Sequence, residues 1–490
     1  MNSNIQDSFD INEEYNELNI NVKNKVYLFG NDRKISTDSD AKTINIRSDI
    51  KYLYIEGYIE QLNVYGQVTD LDILNCPRLK QIHIYNKINK LCIRNQYYNC
   101  NKMPQVENPL IDFPDYLNIN ESGSVDYLSL DGLNMFPDFM NTSLPVLNYY
   151  QYCEKIQNVV KNIKKFKLKN IKNVVEMFFI KHAQEVELSG LDDVTHLNDF
   201  ANVEKLIVNN LKKVRSVDCL KNVKDLCLSH MDSTDHVFDV SSLKDVHTLE
   251  LHHIQVKDIS MLKNKSLTVW HCLNVFNGNA NFSNMNKLVI KDDSNLVNLN
   301  IHNVDDVSID NLENLVYLST NKANSLNVSN CENLVYLNIN NIGGVMIDQC
   351  ESLRDVNCNN IEGMTIKNCD GLVQFQCPIV SLCMQNCKNI TDLKQFRYVQ
   401  NLELTQMDGL TNRSFLELAN YLGNIKNMSL RSLKNVDDLE CICTSKQCPE
   451  IKFGDMKNLK NTHGIVNNSV FYISNCGDLL DNINLTVSLK

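Results

Sequence analysis

The sequence predicts a repeat solenoid, mainly β, with parallel sheet along its faces, about two short extended segments per coil and few helices. An internal repeat is the first observation. Ile361 to Leu372 reads I-E-G-M-T-I-K-N-C-D-G-L, and nineteen residues upstream Ile342 to Leu353 reads I-G-G-V-M-I-D-Q-C-E-S-L. Ile342 answers to Ile361, Val345 to Met364, Ile347 to Ile366, Cys350 to Cys369 and Leu353 to Leu372. Ala323 to Leu334 and Val304 to Leu315 continue the interval, with Cys331 and Leu312 at the cysteine position. A unit this short buries its apolar face only against its neighbours, which makes the object a stack of coils.

The second observation is alternation. A first series of apolar-x-apolar pairs starts at Leu128, Leu147, Phe166, Val186, Leu206, Leu226, Leu249, Leu267, Leu288, Val307, Leu326, Val345, Met364, Leu382, Leu402, Met428 and Ile451. Midway between its members lies a second series, clearest at Leu299/Ile301, Leu318/Thr320, Leu337/Ile339, Val356/Cys358 and Phe375/Cys377. Alternation over so few residues is a strand signal. The third observation is a corner. The residue four after the start of a first-series pair is Gly or Asn at Gly57, Asn75, Gly132, Asn170, Gly190, Asn210, Asn311, Asn330, Asn368, Asn386 and Asn475. Both residue types tolerate left-handed backbone angles.

The frame with its cysteine, as at Val68, Leu71, Ile73, Cys76 or Ile361, Met364, Ile366, Cys369, resembles the leucine-rich repeat signature L-x-x-L-x-L-x-x-N/C-x-L. The following apolar residue comes one place late, and the short period is similar to nested, cysteine-containing repeats of bacterial or protist type. The resemblance runs over roughly residues 44–490. It implies a leucine-rich-repeat superhelix used as a platform for macromolecules, with no shared catalytic residues.

In chain order, residues 1–17 fit no repeat and read as a disordered or capping tail, and residues 18–490 read as a single solenoid. Residues 97–160 hold Pro104, Pro109, Pro114, Pro137 and Pro145 and read as loop insertions. The long step from Leu402 to Met428 contains Phe415, Leu418, Ala419 and Leu422 at helical spacing, with Ser414/Glu417 as an expected capping box and Gly423 as the stop.

Charge and targeting signals narrow the partners. A net charge of −11 gives no basic footprint for nucleic acid or anionic membrane, and neither is expected as a partner. The polar, acidic start and the lack of a long apolar run point to a cytoplasmic protein. Many of the 18 cysteines stand where other repeats carry Leu or Met, so they are expected as free, buried thiols. Neither His247, His252 and His253 nor Cys441, Cys443 and Cys448 has standard metal-ligand spacing, and no metal or cofactor is expected. Trp270 falls where the pattern points outward; packing under a loop is the expectation, a binding anchor the alternative.

The functional expectation is a non-catalytic protein–protein interaction scaffold, regulating or recruiting a partner. Two alternatives stand beside it, a carbohydrate-active enzyme on a β-solenoid and a surface adhesin. An enzyme would need stacked acids or bases, whereas Ser308, Asn327, Met346, Thr365 and Cys383 occupy central outward positions of the first series. The centres of the second series are monotonous, at Asn63, His83, Asn118, Asn300, Ser319, Asn338, Asn357 and Gln376, and should stack into an amide ladder. The first-series centres vary in charge and bulk at Tyr54, Asp72, Lys167, Glu187, Glu250, Met346, Glu403, Lys452 and Tyr472, and form the candidate binding face. Its glutamates favour a protein partner with basic patches.

Overall fold

The computed structural model describes residues 8–11, 15–22, 33–37, 43–47, 49–57, 59–74, 76, 79–94, 117–119, 123–133, 146–231, 236–257, 259, 262–272, 278–443, 450–460 and 470–476. They fall into two compact units, Met1–Glu250 and Leu251–Lys490. Each is a repeat β-solenoid in which strands of successive coils pair in parallel.

In the N-terminal unit, first-series strands run through Ile50–Gly57, Val68–Leu74, Lys87–Arg94, Ser124–Asp131, Lys165–Lys169, Glu185–Ser189, Lys205–Asn209 and Asp225–Ser229. A second parallel sheet joins Ser8–Ile11, Thr43–Ile46, Gln61–Val64, Gln81–Ile84 and Leu117–Ile119. Part of the stretch read as a tail is therefore paired strand.

From residue 165 onward the second strand gives way to short 3-10 helices at Phe178–Ile180, Asn198–Phe200, Asp218–Asn222 and Ser241–Asp245. The expectation of two extended segments per coil does not hold here. Leu191, Val194, Leu197, Phe200, Val203 and Leu206 are all buried and three residues apart, as are Leu211, Val214, Val217, Leu220, Val223 and Leu226. Three residues is the 3-10 period, so one side of each turn faces inward without alternation.

Leu147, expected in a strand, lies instead in an α-helix, Val146–Val160. Leu128 is the direct register partner of Phe166, so two apparent steps of the repeat are one long coil with the helix as its connection. Cys153, Ile156 and Val160 bury one helix face. The five prolines of 97–160 lie outside the described residues.

The C-terminal unit contains the most regular coils. Asn279–Lys291, Asn298–Asp310, Tyr317–Ser329, Tyr336–Asp348 and Asp355–Lys367 are single strands of 13 residues carrying both apolar pairs. Each bends at a left-handed residue, Asn284, Asn303, Lys322, Asn341 or Asn360, with φ of 54 to 65°. Asn303 Nδ2–H donates to Asn284 Oδ1 at 2.8 Å, and Asn360 to Asn341 at 2.9 Å. The anticipated corner is also left-handed, with φ of 51 to 68° at Gly132, Asn170, Gly190, Asn210, Asn311, Asn330, Asn368, Asn386 and Asn475. His253, His271, Asp292, Gln349 and Gln406 occupy the same corner without the Gly or Asn signal.

Inside, register stacks like on like. Val328, Ile347 and Ile366 are neighbours on successive strands and wholly buried. Cys331, Cys350, Cys369 and Cys387 are buried too, their thiols donating to carbonyls two residues back at 3.3, 3.6, 3.1 and 3.5 Å. Burial pushes the Cys387 thiol up to about 12. Cys358 and Cys377 depart from the expectation of free thiols. They share an inward position with Cα atoms 4.9 Å apart, close enough to bridge, and are joined as a disulfide.

The helix of the 402–428 coil spans Asn412–Leu418 and continues as a 3-10 turn, Ala419–Asn424. Its N-cap is Thr411, whose N–H donates to Ser414 Oγ at 3.3 Å, so the capping partner is Ser414 rather than Glu417. The helix starts two residues before the expected cap because Thr411 already offers the cap geometry. Among the described residues no helix is long and apolar enough to cross a membrane.

Candidate binding face

In parallel strands paired in register, equivalent residues sit about 4.8 Å apart, so every outward position becomes a column along the coils. In the N-terminal unit the central first-series column reads Tyr54, Asp72, Cys92, Ser129, Lys167, Glu187, Ile207, Cys227. Beside it runs Tyr52, Asp70, Lys90, Tyr127, Lys165, Glu185, Lys205, Asp225.

The flanking column alternates in sign from Lys165 to Asp225, and opposite charges pair between coils. Lys167 Nζ lies 2.7 Å from Glu187, Lys165 Nζ 2.7 Å from Glu185 and Lys169 Nζ 3.6 Å from Asp131, while Arg94 forks onto Asp72. The hydrogen bond to Glu187 holds the Lys167 ammonium above its ordinary value. Exposed pairs of this kind are worth about 0–1 kcal/mol, so a partner that supplies the matching charges can replace them at small cost.

Aromatic residues gather toward one end of this face. Tyr52 is exposed with Lys51 over its ring at 5.4 Å, and Lys90 lies 5.9 Å from the ring of Tyr127, whose phenol is pushed up by burial. Tyr52 and Tyr127 were missed because only the centre of each pair was read from the sequence, although a strand of five residues has three outward positions.

In the C-terminal unit the central column runs Thr268, Val289, Ser308, Asn327, Met346, Thr365, Cys383, Glu403, Ser429, Lys452, Tyr472. Small uncharged side chains surround Met346, which is 41 % exposed. Lys452 Nζ lies 2.9 Å from Glu450, and Glu403 stands between Cys383 and Ser429. Cys383 is pushed up by burial and then by Glu403.

Trp270 corrects the expectation of packing under a loop. It is 41 % exposed on the flank of this face, where its Nε1–H donates to Asp292 at 2.5 Å. Strand alternation would send the successive residues His252 and His253 to opposite sides, yet their rings lie 5.5 and 5.2 Å from that of Trp270. The reason is the left-handed backbone of His253, φ 50°, which ends the alternation at the corner. Asp293 was not singled out at all. It occupies the cysteine position of its coil, 1 % exposed, and Oδ1 accepts the N–H groups of Asn295 and Leu296 at 2.8 and 3.0 Å. Its Oδ2 meets no partner, and burial raises its carboxyl above the ordinary 3.8.

Of the nine predicted face residues, register brings Tyr54 to Asp72, Lys167 to Glu187 and Lys452 to Tyr472. Asp72 and Lys167 are kept apart by Cys92 and Ser129. Met346 and Glu403 have none of the others as register neighbours. Glu250 lies in the strand Thr248–His252 and adds to burial in raising the Cys227 thiol to about 12. Cys441 is half-buried, and Cys448 lies outside the described residues. Among known proteins, no family model and no curated protein matches the chain.

Proposed function

We propose that the chain is a non-catalytic interaction scaffold of the leucine-rich-repeat type that recruits or regulates a protein partner through its first-series face. The observation that carries this reading is the sign alternation Lys165, Glu185, Lys205, Asp225 beside Lys167 and Glu187. Such a row offers a partner a pattern of charge that differs from coil to coil, together with the aromatic anchors Tyr52, Tyr54 and Tyr127. Glu187 is already matched by Lys167 and Glu250 lies against the Cys227 thiol, so of the three face glutamates Glu403 carries most of the preference for basic patches.

The test is affinity capture from the source cell with the wild type and with the double reversal Lys167→Glu/Glu187→Lys. The reversal keeps the ion pair while inverting its direction. Selective loss of captured proteins in the reversed variant supports the reading. An identical captured set from both proteins contradicts it.

A further inference from the structure

The second-series face of the C-terminal unit differs chemically from the face just described. Along its central column Asn281, Asn300, Ser319, Asn338 and Asn357 are register neighbours. Across the three outward positions of those five strand segments, Asp355 is the single charged residue among the described side chains. The chain as a whole carries 107 charged residues, 48 basic and 59 acidic, so a neutral face of this extent has been kept free of the groups that normally cover a surface.

Between its first two coils the amides are held in place. Asn298 Nδ2–H donates to Asn279 Oδ1 at 2.7 Å, and Asn300 to Asn281 at 3.0 Å. An amide that gives one N–H and one lone pair along the column keeps another N–H and lone pair for solvent or a ligand. Over these two coils the face thus presents fixed donor–acceptor doublets, and immobilised side chains lose less entropy when a ligand is bound. Tyr317 and Tyr336 are register neighbours on the flanking column, and Tyr336 is 49 % exposed.

We propose that this face binds an extended, uncharged, β-1,4-linked polysaccharide lying along the coil axis. Vicinal ring hydroxyls match the amide doublets, and the apolar C–H surface of a pyranose matches the tyrosine rings. A ribbon-like β-linked chain repeats ring by ring at close to the strand spacing of about 4.8 Å, whereas a coiled α-linked chain meets a flat face only at intervals. A charged ligand would lose hydration and find no counter-charge. Size decides against a second copy of the chain. Five coils about 4.8 Å apart and five residues of about 3.3 Å give roughly 400 Å². That is half of the about 800 Å² per partner of a stable protein interface, but it is the length of about five sugar rings.

The inference does not depend on the protein-binding reading, which concerns the first-series face. Full-length protein is depleted onto microcrystalline cellulose and titrated against cellohexaose, with glycogen as the α-linked control. The wild type should be retained on cellulose and Lys244→Glu, at an exposed position of the N-terminal unit outside both faces, should behave like it, while Tyr336→Ala and Asn357→Lys should each weaken cellohexaose binding at least tenfold. Both substitutions are at exposed positions, and unchanged thermal melting checks that the fold is intact. No binding by the wild type, equal binding by both variants, or equal binding of glycogen would overturn the proposal. So would wild-type dimers in sedimentation equilibrium that Asn357→Lys abolishes, since these would give the face to a second copy.

Discussion

Coils 206–226 and 307–326 place the same number of side chains inside by different routes. In the first, the buried positions are Leu206, Val208, Leu211, Val214, Val217, Leu220, Val223 and Leu226; in the second, Val307, Ile309, Leu312, Leu315, Leu318, Thr320, Ala323 and Leu326. The inward steps agree except for one. Val217 to Leu220 is three residues and forms a 3-10 helix, whereas Leu318 to Thr320 is two residues and forms a strand. That single residue is the difference between a period of twenty and one of nineteen. A two-residue step alternates and adds a second ladder of backbone hydrogen bonds; a three-residue step closes a turn on itself. The alternating run Lys165, Glu185, Lys205, Asp225 accompanies the first kind of coil, and the neutral amide face of the C-terminal unit the second.

The largest expected effect comes from putting a charge into a register column. Ile347→Asp buries a carboxylate between Val328 and Ile366 and should cost more than about 4 kcal/mol, read by chemical denaturation. An unchanged midpoint would break the register on which the two-strand coils rest. In the 3-10 coils the corresponding test is a cavity. Phe200→Ala, at a wholly buried position, should cost about 3–5 kcal/mol. A cost below about 1 kcal/mol would mean that the three-residue steps do not face inward.

The bend inside the 13-residue strands gives a gentler test. Asn303→Ala should cost about 1–2 kcal/mol through its left-handed backbone, with Asn303→Gly recovering most of it. Equal costs for both variants would place the effect in the amide bond to Asn284 instead.

Much of this was legible in the sequence. First-series strands, the Asn and Gly corner and the second-series amides follow from alternation and from the few residue types that adopt positive φ. The 3-10 turns were legible as well, in the three-residue spacing of Leu211, Val214, Val217 and Leu220, but reading every second half as a strand hid them. The coil containing residues 146–160 was concealed by coincidence, since its length is two periods and Leu147 falls on the frame. Pairing of Lys167 with Glu187, and the exposure of Trp270, depend on which strands are neighbours, and that emerges only once register is fixed.

Asp293 gives a pH signature to the C-terminal unit. Its folded carboxyl lies above the ordinary 3.8, so the proton is held more tightly in the folded state. Stability therefore falls as pH rises from that value through the folded one, and stays lower above it. Asp293→Asn should melt higher than the wild type at neutral pH, with the gap closing in acid. A gap independent of pH would assign the effect to packing. The smallest effect lies on the charged face, where a double-mutant cycle on Lys167 and Glu187 should give a coupling of about 0–1 kcal/mol.

One distance tests the central claim, that each coil advances the outward column by one strand spacing. Ser308 and Glu403 stand in that column with Asn327, Met346, Thr365 and Cys383 between them. Nitroxide labels introduced at both positions through unnatural amino acids, measured by pulsed dipolar spectroscopy, should give a narrow distribution centred near 24 Å, five spacings of about 4.8 Å. A broad distribution, or one centred more than about 8 Å away, would contradict the in-register solenoid.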